Sequence, residues 1–213
     1  MSAARYAVGR WDGALPQLDG RTFDPAREPF CAREFARIDR YPWGGEGYCP
    51  EARAYLAWTR DALLVLMCAR EEKVYVRERN FGGPVCEDSC LEFFLNARPS
   101  RGGVYVNVEV NAGGVMHIGA GAAREGRRVL SKRPEGVEVS HSRHAGDWWA
   151  VSYALPFALL RALFGGEAER EMRGNFYACE EIARPHFGCW SPVHAPRPDF
   201  HRPECFGAIC LED

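Results

Sequence analysis

The clearest alternation of apolar and polar residues lies in segment 104–111. Its apolar positions are Val104, Val106, Val108 and Val110, and the positions between and after them are Tyr105, Asn107, Glu109 and Asn111. Successive side chains of a β-strand point to opposite faces of a sheet, so the valines must share one face and the other four residues the second face. The pattern therefore predicts a strand whose valine face lies in the core.

Further segments carry strand patterns of similar length. Segment 53–58 alternates, and segment 62–69 is apolar throughout, as in a strand that is covered on both faces. The polar residues 59–61 between them predict a turn, so we expect the two segments to form a hairpin. The remaining predicted strands are 91–95, 115–118, 137–142, 149–155, 175–180 and 206–211.

Two segments interrupt this succession of strands. Residues 156–164 predict one short helix, because Pro156 stands at its first turn, apolar residues recur at helical spacing and Gly165 follows its end. Segment 184–204 contains five prolines, three histidines and Trp190. Proline does not continue a central strand, so we expect a long ordered loop there.

About ten short strands and one short helix indicate an all-β protein, an antiparallel, jelly-roll-like β-sandwich rather than an alternating α/β fold. No linker or shift in composition divides the chain, so we expect residues 1–213 to form a single domain. Residues 1–50 are rich in proline, glycine and aromatic residues and predict an irregular lead-in with one or two short strands.

Composition and charge narrow the classes of function. The chain has 46% hydrophobic and 26% charged residues, a formal net charge of −2 and no basic stripe, so we expect no nucleic-acid partner. No apolar stretch is long enough for a signal peptide or a membrane span, so we expect no membrane partner. The nine cysteines are odd in number and include no Cys-x-x-Cys pair, which favours a reduced, cytoplasmic protein without a zinc motif.

Polar and aromatic residues on the predicted outer faces and loops suit a carbohydrate ligand. A sugar presents hydroxyl groups and an apolar ring face, so its site needs planar hydrogen-bonding side chains beside an aromatic platform. Candidates for the first group are Glu92, Asn107, Glu109 and Asn111, and candidates for the second are Trp190, Phe200 and Trp43. Our hypothesis is that these side chains converge in one cleft.

Several segments resemble carbohydrate-binding module family 9. The residues Asp-Ser-Cys-Leu-Glu-Phe-Phe at 88–94 are similar to the Asp-Ser-x-x-Glu-x-Phe signature of that family. Segments 105–111 and 198–207 resemble its stand-alone bacterial branch, as does Gly-Asn-Phe-Tyr at 174–177, which adds Asn175 to the candidate ligand-binding residues. Together these segments carry the resemblance over most of the chain.

The resemblance implies a β-sandwich related to DOMON domains that binds glucose- or xylose-type sugars, often at a reducing end. In the family a signature glutamate hydrogen-bonds the sugar, and that position here is Glu92, while a polar residue of the next strand falls near Glu109. Of the family's two clamping aromatics, one falls at Phe200, and Val85 and Cys86 stand where the other is expected. We therefore expect non-catalytic binding of a mono- or oligosaccharide, with half of the clamp missing.

The missing aromatic and the question of a metal lead to two further expectations. Trp190, Trp43 or Phe81 is a candidate substitute for the absent aromatic. Some members of the family hold structural calcium, and Glu87 and Asp88 here precede a strand without the spacing of an EF-hand. We expect no cofactor and no tightly held metal, with a structural calcium ion as the exception left open.

Two other interpretations compete with non-catalytic sugar binding. Glu92 and Glu109 are a candidate carboxylate pair for a glycoside hydrolase. Alternatively, the chain is a structural interaction module whose polar strand face is simply solvated, in which Glu92 pairs with Arg53 or Arg70 and Trp190 anchors a loop in the core.

Overall fold

The structure, a computed structural model, describes residues 4–44, 47–144 and 147–213. These residues form two β-sheets. In spatial order the larger sheet contains β1 (Arg5–Val8), β13 (Gly207–Leu211), β11 (Glu171–Glu180), β5 (Cys90–Asn96), β6 (Tyr105–Asn111), β7 (Met116–Gly121) and β8 (Arg128–Val129), and β12 (His186–Cys189) also pairs with β11. The smaller sheet contains β2 (Ala36–Ile38), β3 (Glu51–Trp58), β4 (Ala62–Arg70), β10 (Trp149–Pro156) and β9 (Val139–His141).

The main hydrophobic core lies between the two sheets. The larger sheet contributes Leu91, Phe93 and Leu95, and the smaller sheet contributes Leu63, Val65 and Met67. All six are fully buried because alternate residues of their strands point inward. The all-β sandwich predicted from the alternating segments is therefore confirmed.

The predicted hairpin and most of the predicted valine face are also confirmed. Strands β3 and β4 pair in antiparallel register from Glu51 opposite Arg70 to Trp58 opposite Leu63. Val106, Val108 and Val110 of β6 lie in the main core. The prediction for Val104 is wrong: this residue precedes β6 and is 41% exposed, because the chain leaves the Gly102-Gly103 turn and enters the sheet only at Tyr105.

The short helix α1 spans Phe157–Phe164 and confirms the predicted helical segment. Gly165 ends it in the left-handed conformation, with φ 68°, which glycine adopts without a steric penalty. Leu160 is buried against the main core. None of the helices among the described residues is long and apolar enough to cross a membrane.

Two strand pairings differ from the pattern expected from the sequence. The segment predicted as one long loop contains β12, whose residues His186–Cys189 pair with β11 between two prolines that lie outside the strand. The short strand β1 runs parallel to β13 along the edge of the larger sheet, whereas the other pairs are antiparallel.

Both outer faces of the sandwich are covered by protein. On the larger sheet, Phe94, Tyr105 and Tyr177 form a second apolar cluster with Phe200 and Phe206 from the C-terminal segment. On the smaller sheet, residues of the N-terminal segment pack over the outward side chains of β3 and β4. The interpretation that the polar face of β6 is simply solvated is wrong, because every residue of that strand is buried.

Candidate functional site

A small pocket lies on the outer face of the larger sheet, beneath the segment that follows β12. Its volume is about 80 Å³, and Glu92 of β5 and Glu109 of β6 form part of its lining. The two glutamates are directly opposite each other in the antiparallel register of these strands. Directly opposite side chains of neighbouring strands lie within contact range, so the pocket brings the two carboxyl groups together.

The environment of these carboxyl groups favours their protonated form. Glu92 is 3% exposed and Glu109 is 8% exposed. Burial raises the pKa of Glu92 well above its usual range, and the carboxyl group of Glu109 raises it further. Burial also raises the pKa of Glu109, while His117 acts in the opposite direction. Two neighbouring acids that are both desolvated do not ionise independently, so the pair titrates as a unit.

One oxygen of each carboxyl group has a partner in the protein. The thiol of Cys179 on β11 donates to Glu92 Oε1 at 3.0 Å, and the Asn107 amide donates to Glu109 Oε1 at 2.7 Å. Asn107 is fixed in turn by Arg127, whose Nε donates to the Asn107 Oδ1 at 3.0 Å. Asn107, which was predicted to bind the ligand, therefore orients the Glu109 carboxyl group through a hydrogen bond. It does not line the pocket itself.

Phe200 forms an aromatic wall of the pocket. Its ring stacks on that of Tyr177, with centroids 4.0 Å apart and planes at 13°. The Tyr177 hydroxyl donates to the Phe200 carbonyl oxygen at 3.0 Å, which fixes the backbone as well as the ring. Trp43 stands beside Phe200 at 5.8 Å between ring centroids, and its indole N–H donates to the Ala195 carbonyl oxygen. Trp43 thus supports the wall without lining the pocket.

Charged residues form the rim. Arg124, from the connection between β7 and β8, lies 3.4 Å from the Asp199 carboxylate. Asp199 also pairs with Arg202 at 2.8 Å and accepts the backbone N–H of His201 at 3.1 Å. Glu181, directly after β11, completes the rim, and burial raises the pKa of its carboxyl group.

His201 closes one side of the pocket in a neutral form. Its Nδ1 and the Tyr105 hydroxyl share a hydrogen bond of 2.8 Å, and its ring lies 5.0 Å from that of Phe94. Burial lowers the pKa of His201 to about 4, and the neighbouring Arg127 contributes in the same direction. The imidazole therefore adds no positive charge to the pocket near neutral pH.

Asn111 and Asn175 do not reach the pocket, so their prediction as residues of one shared cleft is wrong. The Asn111 amide donates to Asp88 Oδ2 at 2.7 Å, and its carbonyl oxygen accepts N–H groups of the following turn. Asn175 makes a two-way bond with the backbone of Ser191, at 2.8 and 2.9 Å. Both side chains are fully buried and hold loops in place.

Asp88 performs a similar structural role, which bears on the suggested calcium ion. Its Oδ1 accepts the backbone N–H of Arg77, and its Oδ2 accepts the N–H groups of Glu78 and the Asn111 side chain. A carboxylate that accepts three N–H donors is occupied as an acceptor, and Asp88 is 1% exposed. A calcium site built on Asp88 therefore does not fit this geometry.

Trp190 lies in the main core and not in the pocket. Its ring is 5.5 Å from that of Phe176 and 6.3 Å from that of Tyr6, between the two sheets. Phe81 also packs against that core. Neither aromatic replaces the missing half of the clamp, so these candidate platforms are wrong, and the alternative that Trp190 anchors the loop is confirmed.

The alternative ion pairs of Glu92 are also wrong. Arg53 pairs with Glu51 at 2.5 Å, and Arg70 pairs with Asp147 at 2.7 Å, both on the smaller sheet or its edge. Glu92 has no salt-bridge partner among the residues that the structure describes.

A set of potential metal ligands lies beside the pocket. One ligand atom each from Cys90, Glu92 and Cys179 falls within 4.8 Å of the other two, and all three residues are buried. Contact with Cys90 and burial raise the pKa of the Cys179 thiol, and burial raises that of Cys90 to about 12. Zinc needs thiolates and usually four ligands, so these protonated thiols fit it poorly.

Sequence reasoning missed several residues that line the pocket, among them Phe187, Arg124 and Glu181. It also missed Cys179, which donates to Glu92 without lining the pocket. Cys179 lies two residues beyond Tyr177, on the same strand face, so its position was readable from the period of a strand once β11 is placed opposite β5. Arg124 and Glu181 lie in connections after β7 and β11, and strand periodicity says nothing about the direction of such side chains.

A β-sandwich with a buried pair of carboxyl groups beside an aromatic wall defines the class as a sandwich-type ligand-binding module. The family model described as carbohydrate-binding family 9 matches residues 29–211. The chain belongs to this family, which confirms the resemblance of its Asp-Ser-x-x-Glu-x-Phe segment. No curated protein matches the chain significantly.

Solved structures agree with the fold. A protein from Bacteroides uniformis ATCC 8492, to which carbohydrate binding is attributed, is 28% identical and superposes with a TM-score of 0.81 over 99% of this chain and 100% of that one. A family 9 module from Caldicellulosiruptor kristjanssonii in complex with glucose is 15% identical, with a TM-score of 0.64 over 98% and 96% of the two chains. The same type of module in complex with cellotriose has a TM-score of 0.63 at 15% identity, over 98% and 94% of the chains.

Proposed function

We propose that this chain binds a carbohydrate through the pocket formed by Glu92, Glu109 and Phe200. The observation that carries the proposal is the convergence of two buried carboxyl groups, each with one oxygen held by the protein, beside a fixed aromatic ring. Such carboxyl groups bind sugar hydroxyls, and the ring packs against the apolar face of the sugar. Membership of carbohydrate-binding family 9 supports the same function.

We further propose that the ligand enters by one terminal unit. The pocket volume of about 80 Å³ is far below the ~300–1,000 Å³ of pockets that enclose a drug-sized molecule. A site of this size accepts part of one sugar ring and leaves the rest of a chain outside. Recognition of a single end, including a reducing end, suits this size better than recognition of an internal stretch.

We propose that the domain has no catalysis of its own. Glycoside hydrolases place an acid and a base or nucleophile so that they flank the scissile bond. Glu92 and Glu109 are direct neighbours on adjacent strands of one sheet. Membership of carbohydrate-binding family 9 supports binding without catalysis. Release of reducing sugar from glycosides by the purified protein would contradict this part of the proposal.

Calorimetric titration tests the binding function. Glucose, xylose and cellotriose are suitable probes, because fold neighbours bind glucose and cellotriose. We expect at least one of them to bind the native protein and to lose several-fold in affinity in Glu92→Gln, because an amide NH2 group replaces an acceptor oxygen and one hydrogen bond contributes ~0.5–1.5 kcal/mol. Glu138→Gln, at an exposed position of the same charge, is the matched control and keeps the affinity. A glycan array without any bound carbohydrate would favour a structural interaction module.

We also propose a cytoplasmic location. All nine cysteines are free thiols, and several of them are buried in apolar surroundings. Such a set persists in a reducing compartment, whereas oxidising compartments favour paired cysteines. Fractionation of cells that express the full chain checks this, and recovery with the exported fraction would contradict it.

A further inference from the structure

The lining of the pocket has an excess of acidic groups. Among the described residues it includes one guanidinium group, that of Arg124. The carboxyl groups of the lining belong to Glu92, Glu109, Glu181 and Asp199. Arg124 already pairs with Asp199, and the neutral His201 adds no charge near pH 7. Three carboxyl groups therefore face the pocket without an ion-pair partner in the described parts of the chain.

Two of these groups offer free acceptor atoms to a ligand. Glu92 and Glu109 are at least nine-tenths buried, and each uses its Oε1 for a bond within the protein. Neither Oε2 accepts a hydrogen bond from any residue that the structure describes. Because both residues line the pocket, these oxygens are available only to a ligand or to water. Neither oxygen is among the fully buried polar atoms of the described residues that lack a partner, so both are open to the pocket, where a ligand with strong donors can bind them.

We propose that the pocket prefers a sugar with a protonated amine, an amino sugar of the glucosamine type, over the corresponding neutral sugar. This inference rests on the proposed carbohydrate-binding function and narrows its ligand class. An ammonium group carries three N–H donors, which matches the Oε2 atoms of Glu92 and Glu109 and the carboxyl group of Glu181. Hydrogen bonds between ionised groups are about twice as strong as neutral ones.

The same arrangement explains how acids with suppressed ionisation serve a cationic ligand. A positive charge within ~4–6 Å favours the ionised form of a carboxyl group. An amine that binds beside Glu92 and Glu109 therefore lowers their raised pKa values and favours their ionised forms. The neutral sugar brings no charge and has no such effect.

Calorimetry with three matched ligands tests the preference. The probes are glucosamine, glucose and N-acetylglucosamine, since the last keeps the ring and the nitrogen but carries no charge. At about pH 7 and low ionic strength we expect glucosamine to bind at least about tenfold more tightly than either neutral sugar, a difference of ~1.4 kcal/mol. The ratio of glucosamine affinity to neutral-sugar affinity should fall as salt is added, because salt screens charges near the surface.

Two variants assign the effect to the pocket. Glu181→Gln removes one negative charge at an exposed rim position and should reduce the ratio of glucosamine affinity to glucose affinity several-fold. Glu135→Gln removes the same charge from an exposed position outside the pocket lining and should leave the advantage unchanged. Cyclohexylamine, which has the charge without the hydroxyl groups, should bind more weakly than glucosamine.

The outcomes separate this inference from the proposed function. Glucose that binds as tightly as glucosamine would overturn the amino-sugar preference and leave carbohydrate binding intact. An equal loss of the advantage in Glu135→Gln, or equal binding of cyclohexylamine, would also overturn the preference. Failure of every sugar, charged or neutral, to bind at millimolar concentration would overturn both.

Discussion

The thiol of Cys179 donates a hydrogen bond to Glu92 Oε1 at 3.0 Å across neighbouring strands of the larger sheet. This bond fixes the carboxyl group that carries the family's signature position, and it lowers the pKa of Glu92 against the larger effect of burial. A single buried thiol thus orients the carboxyl group of Glu92 and favours its ionised form against the larger effect of burial.

Replacement of Cys179 by alanine should weaken sugar binding without removing any group that contacts the ligand. We expect a loss of several-fold in affinity, because Glu92 loses its orienting donor and becomes harder to ionise. We also expect a loss of ~1–3 kcal/mol in the free energy of unfolding, because a buried acceptor is left without a partner. Calorimetry and urea unfolding measure the two effects.

The matched control for that variant is Cys49→Ala, at an exposed cysteine. Exposed positions of this kind change stability by less than about 0.5 kcal/mol, and we expect no effect on affinity. Equal affinities of the native protein and Cys179→Ala would show that the thiol does not position Glu92.

Phe200 and Trp190 should separate binding from stability. Phe200→Ala removes the wall that stacks on Tyr177, and we expect a loss of about tenfold in sugar affinity, from the contact of the ring with the ligand. Trp190→Phe leaves the pocket untouched but shrinks a residue of the main core, so it should lower the melting temperature and preserve affinity. The reverse pattern, with affinity lost in Trp190→Phe and kept in Phe200→Ala, would place the ligand elsewhere.

Glu71 should make stability depend on pH. Burial raises its pKa to about 7, although Ser89 and Trp149 donate hydrogen bonds that favour its ionised form. The pKa of Glu71 in the folded protein lies above its pKa in the unfolded chain. The contribution of Glu71 to the free energy of unfolding is therefore fully present below about pH 4.5 and is lost as the pH rises through about 7.

The comparison with Glu71→Gln isolates this effect. Glutamine does not titrate, so the free energy of unfolding of the variant lacks this pH dependence. From about pH 5 to about pH 8 it should rise relative to that of the native protein by up to ~3 kcal/mol, at ~1.4 kcal/mol per pKa unit. Urea unfolding at the two pH values measures the change. A stability difference that stays constant with pH would mean that Glu71 is ionised in the folded protein throughout.

Metal analysis should find less than stoichiometric zinc in the purified protein. The raised pKa values of Cys90 and Cys179 oppose the thiolates that zinc requires, and Glu92 is committed to the thiol of Cys179. Treatment with a chelator should therefore leave the melting temperature unchanged. One zinc ion per chain that disappears in Cys179→Ala would show instead that these three residues form a metal site.

The sequence predicts the sandwich well because its strands alternate clearly. The period of two was enough to place Val106, Val108 and Val110 in the core and Glu109 on the opposite face. It was not enough to tell which outward residue meets a ligand. Glu109 lines the pocket, whereas Asn111, two residues later on the same face, donates a hydrogen bond to Asp88 and does not reach the pocket.

The loop residues were harder to predict for a related reason. Trp190 and Phe200 both lie in the proline-rich segment after β12, yet Trp190 enters the main core and Phe200 packs on the outer face. The choice depends on partners far away in the chain, such as the Ser191 backbone held by Asn175 and the Phe200 carbonyl held by Tyr177. Local sequence patterns do not carry this information.

A crystal structure of the protein with a bound sugar tests the central claim most directly. We expect one sugar unit in the pocket, with hydroxyl or amine groups within hydrogen-bond distance of Glu92 and Glu109 and a ring face against Phe200. A sugar bound at another surface, with the two carboxyl groups still facing an unchanged pocket, would contradict the account.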